Sequence, residues 1–213
     1  HRSILGWTRP RFFDRFTANA IAPDWNIFMT ADTRIRWVLK PAVHTACLLP
    51  AVLLAWGAVN DSLGANPIEE INRDLGDWAL RFLLIALAIT PLRQLTRWNG
   101  FARLRRMLGL WAFAYVCLHL SSYIVLDHFF NWPVIWSDIV RRTFIAVGMF
   151  AVLLLLPLAV TSTKGWIRRL GKRWQKLHRV VYVAGIAGVV HFYMMVKADT
   201  REPLIYGAIL IVL

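Results

Sequence analysis

The amino-acid sequence predicts an all-α membrane protein, in which a bundle of helices crosses a bilayer several times. Three observations support this fold class. Hydrophobic residues make up 58% of the 213 residues and charged residues only 17%, with a mean hydropathy of +0.49. Apolar stretches of about 20 residues, the length that crosses a bilayer as a helix, recur along the chain. The short segments between these stretches alternate between basic and acidic, as loops on opposite sides of a membrane do.

Five of the apolar stretches are long enough to be complete transmembrane helices. They are predicted at residues 38–59, 76–95, 107–127, 143–163 and 178–197. A sixth starts at Pro203 and extends only to Leu213, which is about half of a bilayer crossing. We therefore expect six transmembrane helices, of which the sixth is truncated, in one membrane domain over residues 38–213.

Residues 1–37 precede the first predicted span as an N-terminal extension. Pro10 and Pro23 interrupt any long helix here, and aromatic side chains lie among arginines between them. Such a composition suits a segment that lies on the membrane surface. A poorly ordered extension is an equally good interpretation.

The distribution of charge predicts the orientation of the chain. The loops 93–106 and 164–176 hold 11 basic residues and no acidic one, whereas segment 60–77 holds five acidic residues against Arg73 alone. Short loops rich in lysine and arginine stay in the cytoplasm. Both basic loops and the N-terminus are therefore predicted to be cytoplasmic. The net charge of +13 is explained by topology and by contact with anionic lipid headgroups, so no nucleic-acid partner is expected.

Three histidines lie inside apolar spans, where an ionisable side chain is costly and indicates a functional site. His119 lies 12 residues after Met107, where the third span begins, and His191 lies 13 residues after His178, where the fifth begins. At 1.5 Å per residue, both lie about 18–20 Å from the cytoplasmic face of two parallel helices. The two imidazoles therefore share one layer in the outer half of the bilayer.

Equal depth predicts that His119 and His191 bind one metal centre between them. Neutral imidazole is a common metal ligand and the usual axial ligand of haem iron, so we expect both residues to ligate one haem. The alternative is a pair of histidines that are only hydrogen-bonded inside the bundle. An aromatic stripe near His119, formed by Trp111, Tyr115 and Tyr123, is compatible with a cofactor or with ordinary packing.

His178 lies at the cytoplasmic mouth of the fifth span, after the second basic loop. It cannot share a haem with His191, because 13 residues of helix leave the two side chains far apart and on different faces. Three interpretations stay open. His178 ligates a second haem together with His44 of the first span, contacts a quinone or flavin headgroup, or simply lies at the membrane interface.

Arginines extend this candidate site. Arg105, Arg106 and Arg179 lie with His178 at the cytoplasmic mouth in the predicted topology. Basic groups beside an imidazole suit an anionic flavin phosphate or a quinone oxygen that becomes negative on reduction, so we predict electron entry here. Near the outer end of the second span, Arg81 either extends to the interface or pairs with a haem propionate.

Two further expectations concern the outer boundary and the chain as a whole. His128, beside Asp127, is predicted to be a solvated loop residue. No internal repeat is evident. This argues against a proton-coupled small-solute transporter, because many transporters are built from two symmetric halves.

Three segments carry a resemblance to a known family. Residues 105–123, residues 157–182 and the VVHFYMMVK that follows soon after resemble the ferric-reductase-like transmembrane superfamily. Within it, they are most similar to the haem-binding membrane subunits of bacterial periplasmic methionine-sulfoxide reductase systems. The resemblance covers about residues 37–213 and includes HTACLLP, ANPIEEI and EPLIYG.

The resemblance implies a multi-pass protein of the bacterial inner membrane that holds a b-type haem. It also implies electrons taken from the quinone pool and delivered to a periplasmic molybdopterin-containing reductase that repairs oxidised methionines. An FMN is associated with such subunits. The chain would then be an electron-transfer subunit of an oxidoreductase rather than its catalytic subunit.

The haem histidines of the family fall on His119, His178 and His191. Larger members of the superfamily hold two stacked haems with two histidines in each of two helices. This chain departs from that pattern, because Arg106 occupies the position of one cytoplasmic-side histidine. One haem in the outer layer is therefore favoured. A ferric or cupric reductase, with a flavin domain beyond Leu213, is the first alternative function and the small-solute transporter is the second.

Overall fold

The structure is a computed structural model that describes residues 35–98, 100–196 and 199–213. All the regular elements in these ranges are helices, which confirms the predicted all-α class. They are α1 (Lys40–Val59), α2 (Pro67–Thr96), α3 (Phe101–Ser122), α4 (Trp132–Arg141), α5 (Thr143–Val160), α6 (Lys164–Leu170), α7 (Lys172–His178), α8 (Val180–Met195) and α9 (Arg201–Val212). A wider π-helical turn precedes α1 at Ile35–Leu39, and another extends α3 at Tyr123–Asp127. The predicted N-terminal extension lies almost entirely outside the described residues.

Five helical stretches within the described ranges are long and apolar enough to cross a membrane. They are Trp37–Val59, Pro67–Thr96, Arg103–Asp127, Thr143–Val160 and Lys172–Met195. Each overlaps one of the five complete spans predicted from the sequence, which confirms a polytopic helical membrane protein. The sixth predicted helix corresponds to α9, which has 12 residues.

The largest difference from the predicted boundaries is at the start of the second span. α2 begins at Pro67 rather than at residue 76, so that most of the acidic loop is helical. The Asn66 side chain accepts a hydrogen bond from the Glu69 amide at 3.4 Å and caps the helix. Pro67 suits the first helical position, and Glu69 and Glu70 complement the positive end of the helix dipole.

The bundle is organised around two helical pairs. α2 packs along α3, and α5 packs along α8. α2 is the most enclosed of the five spans. In its apolar stretch 56% of the residues are buried, against 11% in the span that contains α1. α1 lies at the periphery and is attached by Tyr115 of α3. The Tyr115 hydroxyl donates to the Cys47 carbonyl at 2.8 Å and accepts from the Ala51 amide at 3.0 Å, so it bridges one turn of α1.

Candidate cofactor site

The structure brings His119 of α3 and His191 of α8 together. Their ring centres are 6.3 Å apart and the ring planes are inclined at 78°. The two helices that carry them make little or no direct contact, because α3 packs on α2 and α8 packs on α5. The imidazoles therefore meet between two helices that do not pack closely on each other.

Both imidazoles are oriented by a backbone carbonyl of the neighbouring helix. Nδ1 of His119 lies 2.8 Å from the Asn72 carbonyl oxygen of α2, and Nδ1 of His191 lies 2.6 Å from the Phe144 carbonyl oxygen of α5. A carbonyl oxygen only accepts hydrogen bonds, so Nδ1 must carry the hydrogen in both rings. In a neutral imidazole this leaves the Nε2 lone pair available to bind a metal.

A glycine lies under each ring. A Cβ built on Gly76 of α2 would lie 3.2 Å from both Nδ1 and Cε1 of His119. A Cβ on Gly148 of α5 would lie 2.8 Å from Nδ1 and 2.9 Å from Cε1 of His191, closer than real side chains come. The two histidines therefore pack directly against helix backbone, which no other residue type would allow without displacement of the ring.

The two half-sites are related by an internal repeat that the sequence analysis did not detect. Adding 72 to the residue numbers of the first half-site gives the second, so that Asn72, Gly76 and His119 become Phe144, Gly148 and His191. The buried Ala112 and Ala184, each 1% exposed, correspond in the same way. No repeat is evident in the sequence itself, because few side chains other than these match between the halves. The correspondence lies in the geometry of the two half-sites.

Two facing imidazoles fit the axial positions of haem iron. Metal–imidazole bonds are about 2.0–2.1 Å long, so one ion between two imidazole nitrogens holds the ring centres roughly 6 Å apart. The observed separation of 6.3 Å agrees with this. The described residues contain no cluster of three or more histidine, cysteine or acidic side chains able to hold a metal ion. The macrocycle of a haem would supply the remaining ligands. That His119 and His191 ligate haem stays a prediction.

His178 has different surroundings from the other two histidines. Its ring stacks on Trp174 at 3.9 Å between ring centres, and its Nε2 lies 3.2 Å from the Thr161 hydroxyl. That hydroxyl donates its hydrogen to the Pro157 carbonyl at 2.6 Å and must therefore accept from His178. Nε2 of His178 thus carries a hydrogen and donates it to Thr161. In His119, by contrast, Nε2 carries no hydrogen and is free to bind a metal.

His44 is also committed to a protein partner. The indole N–H of Trp111 donates to its Nδ1 at 2.9 Å, so the hydrogen of the neutral ring lies on Nε2. No hydrogen bond or ring contact joins His44 to His178 within the described part of the chain. The interpretation that these two residues share a second haem gains no support from their contacts.

The predicted cytoplasmic mouth is partly assembled. Arg105 of α3 is close enough to His178 for their charges to interact. Arg106 and Arg179 directly follow Arg105 and His178 in the sequence, and both have exposed side chains. In the internal repeat, Arg106 corresponds to His178, because 106 plus 72 is 178. The mouth thus combines one imidazole and at least one close guanidinium, and its role stays a prediction.

Arg81 lies well inside α2 rather than near its outer end, because α2 begins at Pro67. Its Nε donates to the Tyr206 hydroxyl of α9 at 2.7 Å, and its guanidinium lies 5.0 Å from the ring centre of Trp78. Asp77, which is only 7% exposed, lies 3.9 Å away. Asp77 and Tyr206 were not predicted as partners of Arg81, although an acidic residue four positions before an arginine in an apolar helix is a readable signal.

The prediction for His128 was wrong. Its side chain is only 12% exposed, and its Nε2 lies 3.2 Å from Asp138 of α4. The ring also lies 4.4 Å from the ring centre of Tyr123. The amphipathic helix α4 folds back over the end of α3 and covers the histidine. The sequence analysis had treated this segment as an outer loop, so it had no partner to assign to His128.

Comparison with known proteins places the chain among membrane haem proteins. Residues 75–189 match the family model described as "Ferric reductase like transmembrane component". The chain is 61% identical, over 79% of its length and 82% of the relative's, to "Protein-methionine-sulfoxide reductase heme-binding subunit MsrQ" of Rhodospirillum rubrum. Proteins of the same name from Caulobacter vibrioides and Herminiimonas arsenicoxydans are 50% and 51% identical, over 80% and 83% of the chain and 82% of each relative. No solved structure matches the chain significantly.

Proposed function

Because the chain belongs to the ferric reductase-like transmembrane family, among the MsrQ haem-binding subunits of protein-methionine-sulfoxide reductases, we propose that it carries electrons through one haem b held by His119 and His191. The electrons come from the quinone pool of the bacterial inner membrane. They leave to a periplasmic molybdopterin-containing reductase that repairs oxidised methionines. The facing pair of imidazoles, each with a free Nε2, is the observation that carries this proposal.

The protein's part in this function is to hold and tune the cofactor. A bound haem supplies reversible one-electron chemistry. The hydrogen bonds from Nδ1 to the Asn72 and Phe144 carbonyls fix the direction of each ring. Such bonds also make an imidazole a more basic ligand, which favours the oxidised metal and lowers the potential.

We propose the cytoplasmic mouth as a second cofactor position, for FMN. The phosphate of a flavin needs basic partners, and Arg105, Arg106 and Arg179 are the arginines at this mouth. His178 stacks on Trp174 and is close to Arg105, so its ring is held beside positive charge.

An optical spectrum of the purified protein in lipid nanodiscs tests the main proposal. We expect the reduced α and Soret bands of low-spin haem b, with one haem per chain by pyridine haemochrome assay. His119→Ala and His191→Ala should each abolish the low-spin spectrum. His44→Ala is the matched control, since Nδ1 of His44 accepts from Trp111 and Nε2 carries the hydrogen, which leaves no free nitrogen for iron; this variant should keep the full spectrum. Full bis-histidine spectra in both test variants would disprove the pairing.

Electron transfer through the same haem would also serve a ferric or cupric reductase. The match to the ferric reductase-like family model is the observation in favour of this second function. Addition of ferric citrate or a copper(II) chelate to the reduced protein separates the two functions. Rapid reoxidation of the haem by either metal complex, with none by a methionine-sulfoxide reductase partner, would favour the metal reductase.

A further inference from the structure

A cavity separate from the cytoplasmic mouth lies where the end of α3 meets α4 and α5. Its volume is about 340 Å³, within the range of small-molecule sites. Leu120 and Tyr123 form one wall, Ile135, Trp136 and Ile139 of α4 form the second, and Met149 of α5 closes the third. The walls are almost entirely apolar, so the cavity suits an apolar ring or chain.

The cavity lies beside the histidine pair. Leu120 follows His119 directly in the chain, and Met149 follows Gly148, on which the His191 ring packs. Two of the lining residues are thus direct chain neighbours of His119 and of the glycine under His191, which places the cavity close to the pair. The cytoplasmic mouth lies at the other end of α3 and α8 and cannot contribute to it.

The cavity borders the lipid-facing surface of the bundle. Trp136, one of its walls, is 69% exposed on the outside of the bundle, and Trp132 at the start of α4 is 60% exposed. Tryptophans at helix ends of membrane proteins lie at the lipid headgroup level. The opening of the cavity is thus bordered by side chains that face the bilayer, and a lipid-soluble molecule reaches it without passing through water.

The Tyr123 side chain lines the cavity, and its hydroxyl begins a chain of hydrogen bonds. The Tyr123 hydroxyl donates to Asp138 at 3.4 Å. The Asp138 carboxylate also lies 3.2 Å from Nε2 of His128 and 3.1 Å from Nε of Arg142. Arg142 is 57% exposed, so this cluster extends from the cavity wall to the protein surface. An acyl chain would need no such partner, whereas a ring with ionisable hydroxyl groups needs both an acceptor and an exit for protons.

We propose that this cavity is the binding site of a lipid-soluble hydroquinone, with its ring hydroxyl bonded to Tyr123 and its chain in the lipid. This inference rests on the proposed haem function and adds the location of the electron donor. Oxidation of one hydroquinone to the quinone releases two electrons and two protons. A haem held by His119 and His191 would accept the two electrons one at a time, and the protons leave through the Tyr123–Asp138–His128 cluster to the outer side.

The test measures reduction of the haem by decylubiquinol in nanodiscs, by stopped flow. Ile135→Trp fills the cavity from α4 and should slow reduction about tenfold or more. Tyr123→Phe removes only the hydroxyl and should slow it about 2- to 10-fold, the effect of one hydrogen bond. Val140→Trp is the matched control, because the Val140 side chain of α4 is 67% exposed. The haem of this variant should be reduced at the wild-type rate. Dithionite reduction and the haem spectrum should be unchanged in all three.

The outcomes separate this inference from the proposed function. If decylubiquinol reduces the wild type and both test variants at equal rates, the haem function stands and the cavity is not the donor site. If it fails to reduce the wild type, whose haem dithionite reduces, both the quinol donor and the cavity site are disproved. Labelling with an azidoquinone should modify the cavity walls and be blocked by decylubiquinol. Labelling of the same walls by a photoreactive phospholipid that decylubiquinol does not displace would identify an acyl-chain site and overturn the inference.

Discussion

The helical pairs α2–α3 and α5–α8 hold their outer histidines in the same way and differ at most other positions that carry charge. Each pair supplies one imidazole, one carbonyl acceptor for Nδ1 and one glycine under the ring. Elsewhere, Arg81 of α2 corresponds to Leu153 of α5, and Arg106 corresponds to His178. The features common to both halves are those that an axial ligand needs.

The connection between the helices also differs between the halves. α2 and α3 are joined by a short turn, in which Arg97 adopts a left-handed conformation with φ of 55°. α5 and α8 are joined by the two short helices α6 and α7, with Gly171 at φ of 51° between them. The longer connection positions Trp174 against His178 and builds the wall of the mouth. The mouth therefore belongs mainly to the second half.

The first prediction concerns the side of the membrane on which these two connections lie, and its result is all or none. In a variant without Cys47 and Cys117, cysteines at Gln94 and Gln175 should resist an impermeant maleimide added to intact cells. A cysteine at Asn60, on the acidic side, should react. Equivalent loops of a repeat with parallel halves must lie on the same side. Modification of only one of the two positions would break the equivalence of the halves, and modification of both would reverse the topology.

Substitution of the two glycines compares the half-sites directly. Gly148→Ala should remove most of the low-spin haem, because its methyl group would lie 2.8 Å from Nδ1 of a ring held by the Phe144 carbonyl. Gly76→Ala should retain haem with a shifted low-spin signal, because its contacts are at 3.2 Å and a small movement relieves them. Electron paramagnetic resonance and the Soret band report both effects.

Two other glycines provide the controls for this comparison. A Cβ on Gly188 of α8 would meet Leu80 at an ordinary 3.5 Å, and a Cβ on Gly109 of α3 would meet nothing within 4 Å. Alanine at either position should leave the haem signal as in the wild type. Equal loss of haem from all four variants would show that alanine merely disturbs the bundle. A larger effect at Gly76 than at Gly148 would contradict the packing of the two rings.

His178→Ala tests the inner position at which the halves differ. We expect the haem content to stay at one per chain, because Nε2 of His178 is bonded to Thr161 and is not free for iron. Reduction of the haem by added reduced FMN should become several-fold slower, because the ring stacked on Trp174 is lost. A two-haem protein would instead lose about half of its haem absorbance. An unchanged haem content together with an unchanged rate would make His178 a plain interfacial residue.

The sequence predicted what depends on one helix at a time. The positions of His119 and His191 in one layer follow from the fixed rise of a helix, so their depth was readable without a structure. Their partners were not, because a carbonyl at Asn72 and a glycine at position 148 acquire meaning only when two helices pack. The early start of α2 was missed although Asn66 and Pro67 form a recognisable helix start. His128 was missed because α4 is too short and too polar on one face to read as a span.

The smallest expected effect concerns Arg81, which has no counterpart in the second half. Arg81→Leu makes α2 resemble α5 at this position and removes one positive charge from the bundle interior. If Arg81 pairs with a haem propionate, the midpoint potential should fall by roughly 40 mV, which corresponds to about 1 kcal/mol for one electron. The reason is that a nearby positive charge favours the reduced haem. Arg81→Lys keeps the charge and should shift the potential less.

Tyr206→Phe separates that electrostatic role from a structural one. It removes the 2.7 Å hydrogen bond from Arg81 to α9 but leaves the guanidinium in place beside Asp77. We expect a loss of about 1 kcal/mol in stability, measured by thermal unfolding, and a potential close to that of the wild type. If Arg81→Leu loses stability but keeps the wild-type potential, Arg81 is a packing residue of α2 and α9. The asymmetry between the two halves would then concern the bundle and not the haem.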